Sequence, residues 1–185
     1  MKKNKFSNHL FFVYGSNMNP GQIASRCFKP EVLAVARLED YALSFHGESR
    51  RWDGGESTVI NKPGEYVWGV VYKLTLSDSE RLDSWQDVRL DGTGTYFHYP
   101  TQVSDAEGNR YPVLVYKRFQ AGEPSSPSQE LMATIIAGAS ARELPAAYLE
   151  KLRSIATVKA SFAVPRIFEH EREISFGVPC ECVGI

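Results

Sequence analysis

The segment Tyr14-Gly15-Ser16-Asn17-Met18 follows an apolar run and leads into Asn19-Pro20, a good helix start with Asn as cap and Pro at the first helical position. A glycine at the end of a strand lets the backbone turn sharply and approach a ligand closely. The amides after it then point outward at the positive end of a helix, where proteins hold carboxylates and oxyanions. Residue types alone leave two readings open here. One is an anion receptor; the other is an ordinary strand-turn-helix junction with Ser16 and Asn17 as turn residues. A serine hydrolase fits less well, because Gly15-Ser16-Asn17 lacks the second glycine of a nucleophile elbow.

The other reactive side chains form no constellation. His9, His46, His98 and His170 are scattered, with no second ligand at metal spacing. Cys27, at the end of the first helix, is either a nucleophile or a packed helix cysteine. Cys180-Glu181-Cys182 has no Cys/His pair elsewhere to complete a metal site, so no metal and no cofactor are expected. Arg51 and Trp52, in a Gly-containing loop, either border a pocket and stack on a ligand or belong to a plain surface loop.

The 185 residues are 43% hydrophobic, 12% aromatic and 23% charged, an ordinary composition for one soluble globular domain. A chain of this size buries roughly 70% of the surface its unfolded form exposes, so disulfides and metals are not needed for stability. Three cysteines without regular spacing are a poor disulfide framework. The net charge of -1, from 21 basic and 22 acidic residues, argues against non-specific nucleic-acid binding. No 18-residue apolar run exists to span a membrane, and the apolar stretch near the N-terminus is too short for a signal peptide. The expected location is cytoplasmic.

The elements that must position these residues can be read from patterning. Residues 10–14 form a buried strand, and a helix from Asn19-Pro20 runs to about Cys27. A strand or two lies within 32–45, where Tyr41, Leu43 and Phe45 alternate. Residues 58–60 and 66–74 read as strands joined by a hairpin turn at Asn61-Lys62-Pro63-Gly64. Ser77-Asp78-Ser79-Glu80 reads as a capping box for a short helix ending near Trp85. Strands follow at 96–103 and 111–119, then helices at 128–142 and 145–155, and a weak strand at 172–176. Strands dominate the first two-thirds, so the class is α+β. A single domain spans 1–185, with 158–185 as a C-terminal extension.

Several stretches in order resemble the γ-glutamylcyclotransferase family. They are Phe12-Val13-Tyr14-Gly15-Ser16-Asn17-Met18, the loop Gly47-Glu48-Ser49-Arg50-Arg51-Trp52, the strand Val67-Trp68-Gly69-Val70-Val71-Tyr72, and Leu82-Asp83. Pro127, residues 136–139 and residues 144–152 resemble the family's closing helical region. The resemblance covers roughly residues 10–155. It implies a small closed or nearly closed mixed β-barrel with peripheral helices. It also implies a reaction in which the substrate's α-amine attacks its own γ-glutamyl carbonyl, releasing 5-oxoproline.

By this resemblance the backbone amides of Gly15, Ser16, Asn17 and Met18, after Tyr14, would hold the γ-glutamyl unit. Tyr96 and Tyr116 match family tyrosines near the pocket, while Leu131 stands about where a third tyrosine is expected. The family's catalytic glutamate follows a Leu-Asp-x-x pattern, and here Leu82-Asp83-Ser84-Trp85 is followed by Gln86. An amide does not shuttle a proton, and losing that step costs about 10²–10⁴ in rate. Three explanations are open: Asp83 or Asp87 substitutes, with the loop residues Glu48, Glu56 and Glu123 as further carboxylates that could reach the pocket; the fold is a binding module for a γ-glutamyl or related acid; or position 86 carries a deliberate Glu-to-Gln exchange. The expected partner is a small γ-glutamyl compound, with no nucleic acid and no membrane; a homodimer is compatible with the sequence.

Overall fold

The computed structural model describes residues 9–119 and 122–168. Among them, five strands, numbered along the chain as β1 (His9–Val13), β2 (Glu31–His46), β3 (Glu56–Leu74), β4 (Tyr96–Ser104) and β5 (Arg110–Arg118), close into a barrel in the order β1-β3-β2-β4-β5, with four helices outside it. Strand β1 (His9–Val13) is antiparallel to β3 (Glu56–Leu74) and parallel to β5 (Arg110–Arg118). Both of its faces are covered, which explains the unbroken apolar run: Phe11, Phe12 and Val13 are all buried. The mixed barrel expected from the family resemblance is the fold found.

Strand β2 (Glu31–His46) is a single element that pairs with β3 along almost its whole length, from Glu31 opposite Lys73 to His46 opposite Glu56. The expected hairpin at Asn61-Lys62-Pro63-Gly64 does not exist. Strand β3 runs straight through that segment, and residues 62–65 bulge out where Glu39 faces Tyr66 and Tyr41 faces Asn61. Asp40 closes the bulge: its carboxylate accepts from the Gly64 amide at 2.9 Å and its carbonyl accepts from Asn61 Nδ2 at 3.3 Å. Turn-forming residues mark a bulge as readily as a reversal, and local patterning does not distinguish them.

Asn19 caps α1 (Pro20–Ala24), its side chain accepting from Gly21 N and Gln22 N. The helix stops short of Cys27 because the buried Asp78 carboxylate takes the amides of Phe28 and Lys29 at 2.6 and 3.2 Å and draws the chain aside. Helix α2 (Leu76–Trp85) is capped by Thr75, whose hydroxyl accepts from Asp78 N, two residues before the expected Ser77. Strand β4 (Tyr96–Ser104) forms a hairpin with β5 across Asp105–Asn109, whose ends are joined by backbone and side-chain hydrogen bonds.

Helix α3 (Gln129–Ala141), capped by Ser128, packs over the turn after β1, and α4 (Ala146–Arg153) packs beside it. The approach of α3 is close at Gly138, where a Cβ would stand 2.4 Å from Asn19 N. No helix among the described residues is long and apolar enough to cross a membrane. The expected strand at 172–176, together with His170, Cys180 and Cys182, lies outside the described residues.

Candidate functional site

A cavity of about 420 Å³ opens where β1 ends, within the usual size of small-molecule sites. One wall is the turn itself: Tyr14, Gly15, Ser16 and Asn17 line it. Residues Ser16–Met18 form a single 3-10 turn in which Met18 N donates to the Gly15 carbonyl at 3.0 Å and Asn19 N donates to the Ser16 carbonyl at 3.1 Å. Met18, expected with the turn, is fully buried and does not line the cavity; its amide is spent within the turn. Space at Gly15 is tight, since a Cβ there would come within 3.1 Å of Ser57 Oγ on the neighbouring strand. Asn17 is 2% exposed, and its Oδ1 has no hydrogen-bond partner among the described residues. An unsatisfied buried acceptor on a cavity wall is costly unless a ligand or water supplies a donor.

The tyrosines form the floor. Tyr14 donates to the Tyr116 carbonyl at 2.5 Å, and Tyr96 donates to the Ser57 carbonyl at 2.7 Å. Tyr116 donates at 2.6 Å to Asp83 Oδ1, the oxygen that His98 Nε2 also contacts at 2.7 Å. Burial holds the phenols of Tyr96 and Tyr116 protonated, with the nearby charges of Glu56 and Asp83 respectively adding to the effect. Tyr96, Tyr116 and Leu131 all line the cavity.

Gln86, at the C-terminal cap of α2, also lines the cavity. The two aspartates weighed as its substitutes are placed differently. Asp83 does not line the cavity, and its Oδ1 is engaged by Tyr116 and His98. Asp87 lines it, but one carboxylate oxygen accepts from Thr95 N and Oγ1 at 3.1 and 2.9 Å and the other from Arg89 Nε at 2.8 Å. Burial pushes the Asp87 carboxyl up, but these hydrogen bonds outweigh it and hold the group below the usual aspartate range.

The loop between β2 and β3 contributes Glu48, Arg50, Arg51 and Trp52. Ser49 Oγ shapes it by accepting from Arg51 N and Trp52 N. The Arg51 guanidinium lies 3.6 Å over the Trp85 ring, and Arg26 lies at the same distance from that ring. Arg51 therefore borders the cavity, as one sequence reading had it, but stacks on Trp85. The extension contributes as well: Arg166 N donates to the Arg51 carbonyl at 2.9 Å, and Phe168 reaches the cavity lining.

Sequence reading gave no weight to a buried ion pair between Glu56, the first residue of β3, and Arg118, the last of β5. Both side chains line the cavity and are 19% and 14% exposed. Burial raises the Glu56 carboxyl above its ordinary value, against the opposing pull of Arg118. The period of two along β5 was a usable signal, since it puts Arg118 on the same face as Tyr116. Cys27, in contrast, is buried with its thiol pushed up to about 12 by burial and by Asp78, so it is no nucleophile at neutral pH. The His46 ring is held between Ser44 Oγ and the Gly122 carbonyl.

Residues 66–152 match the AIG2-like family. A gamma-glutamylcyclotransferase of Mus musculus is 35% identical over 150 residues, which cover 79% of this chain and 78% of the relative. The gamma-glutamylcyclotransferase of Homo sapiens is 34% identical over the same share of both chains. A solved structure of a gamma-glutamyl cyclotransferase superposes with a TM-score of 0.79 at 32% identity, covering 91% of this chain and 98% of that one.

Proposed function

Because this chain belongs to the γ-glutamylcyclotransferase family, we propose that it acts on a small γ-glutamyl amine or γ-glutamyl amino acid and releases 5-oxoproline. The observation that carries this reading is the cavity wall made by Gly15, Ser16 and Asn17, with the unsatisfied Asn17 Oδ1 buried in it. A γ-glutamyl unit brings both kinds of group that such a wall lacks. Its α-ammonium supplies donors for Asn17 Oδ1, and its carboxylate and carbonyl oxygens suit the amides of the turn. Tyr96 and Tyr116 flank the chain of methylenes.

The chemistry then follows from confinement. A cavity of about 420 Å³ has room for a γ-glutamyl unit with a small amine half held in a folded, ring-closing shape. Folding brings the α-nitrogen toward the γ-carbonyl carbon. Intramolecular attack from a held near-attack geometry has an effective molarity on the order of 10⁵–10⁸ M, so positioning supplies much of the rate.

The test is a calorimetric titration with a panel of γ-glutamyl amino acids and amines, run beside an assay for 5-oxoproline. Saturable binding and release of 5-oxoproline from γ-linked compounds, with neither from the α-linked isomers, are expected. Absence of both across the panel would remove the reading. Gln86 on the cavity wall favours a second reading, non-catalytic binding of the same ligands, which predicts saturation without any 5-oxoproline.

A further inference from the structure

We propose that Glu56 is the proton-transferring carboxylate of this site, taking over the work for which Gln86 has no ionisable group. The proposal rests on the functional reading above.

Three carboxylates line the cavity: Glu48, Glu56 and Asp87. Glu48 is exposed to solvent. Asp87 is saturated by Thr95 and Arg89, which favour its ionised form and make it a weak base. Glu56 alone among them is largely buried, and it is anchored at the start of a strand by pairing opposite His46. Its chain neighbour Ser57 touches both ends of the site: Ser57 Oγ abuts Gly15, and the Ser57 carbonyl accepts from Tyr96. Glu56 itself lines the same cavity as the turn that would hold the reacting unit.

Its electrostatics suit the task. Burial draws the carboxyl up toward neutrality, while Arg118, Ser49 and Arg51 keep the ionised form accessible. A base poised in this way accepts a proton more readily than an unperturbed glutamate and still gives it back.

The proton balance closes without any other reagent. Glu56 takes one proton from the substrate α-ammonium, and the freed nitrogen forms its bond to the γ-carbonyl carbon. The bond from that carbon to the leaving nitrogen breaks as the Glu56 carboxylic acid returns its proton to the leaving nitrogen. The α-nitrogen sheds a second proton to solvent, and the released amine takes one up from solvent and departs as an ammonium.

The experiment compares the wild-type chain with Glu56→Gln, Gln86→Glu and the double variant, using one γ-glutamyl amino acid from the panel. Glu56→Gln should lower kcat by about 10²–10⁴-fold, keep Kd within a few-fold, and abolish the acid limb of the kcat/KM profile. Adding Gln86→Glu to it should restore part of kcat. Retention of kcat within about threefold in Glu56→Gln, or wild-type binding without turnover, overturns the proposal. A wild-type chain that neither binds nor turns over overturns the functional reading and this proposal with it. Should Glu56→Gln fail to fold, Arg118→Gln carries the test. Without the opposing cation the acid limb should move to higher pH by about one unit or more, and an unmoved limb counts against Glu56.

Discussion

Glu56 ionises inside the fold at a cost, and that cost is visible as a pH dependence of stability. Its carboxyl is raised above the ordinary glutamate value of 4.5 because it is buried, with Arg118 only partly offsetting this. A group raised in the folded state contributes stability that is fully present below its unfolded value and lost as pH rises through the folded value. Wild-type protein should therefore lose stability from this group between about pH 4 and the raised value, whereas Glu56→Gln should not. Melting temperatures of the two proteins, measured across pH 4 to 7, should diverge in favour of Glu56→Gln as pH rises. A constant difference would mean that the carboxyl is not raised. The face of β5 that carries Arg118 was legible from its period of two, but the pairing with Glu56 was not. Glu56 and Arg118 are 62 positions apart and meet only because barrel closure brings the start of β3 to the end of β5.

At the scale of elements, the turn after β1 is held from outside by α3. Gly138 makes this possible, because any Cβ there would stand 2.4 Å from Asn19 N and 2.8 Å from the Met18 carbonyl carbon. Alanine would raise helix propensity by about 1 kcal/mol, but backbone atoms at those distances have no easy way to yield. Overpacking costs about 1–3 kcal/mol and here should win. Gly138→Ala should lower the urea midpoint and also weaken γ-glutamyl binding, since relief of the clash shifts the turn. Loss of stability with unchanged affinity would show that α3 does not support the site. The turn was legible in advance because its signals are local: an apolar strand, a glycine, then Asn19-Pro20 with the cap seen at Gly21 N and Gln22 N. The bulge in β3 was misread for the opposite reason, because it depends on the remote Asp40. The Thr75 cap is as local as the expected Ser77 one, and the two Ser/Thr-x-x-acid patterns overlap within a few residues.

The whole molecule is a barrel whose cavity draws on the turn after β1, the loop before β3, the end of α2, and strands β4 and β5. The barrel and the family were legible because several motifs occur in one order along the chain. The contribution of Phe168 was not, since nothing in the composition of the extension ties it to Arg51. A ligand that bridges so many elements should stabilise them together. At a free concentration 100 times Kd the gain is about 2.7 kcal/mol, which for a chain of this length raises Tm by roughly 5–10 °C. Thermal unfolding with and without a γ-glutamyl amino acid checks this, and α-linked isomers should give no shift. The most direct test follows the backbone amides by ¹⁵N-resolved NMR during titration with a γ-glutamyl amino acid. The resonances of Gly15, Ser16 and Asn17 should shift most, along one saturating curve. Saturable binding that leaves those three in place and moves other surfaces would contradict the assignment of this turn as the receptor.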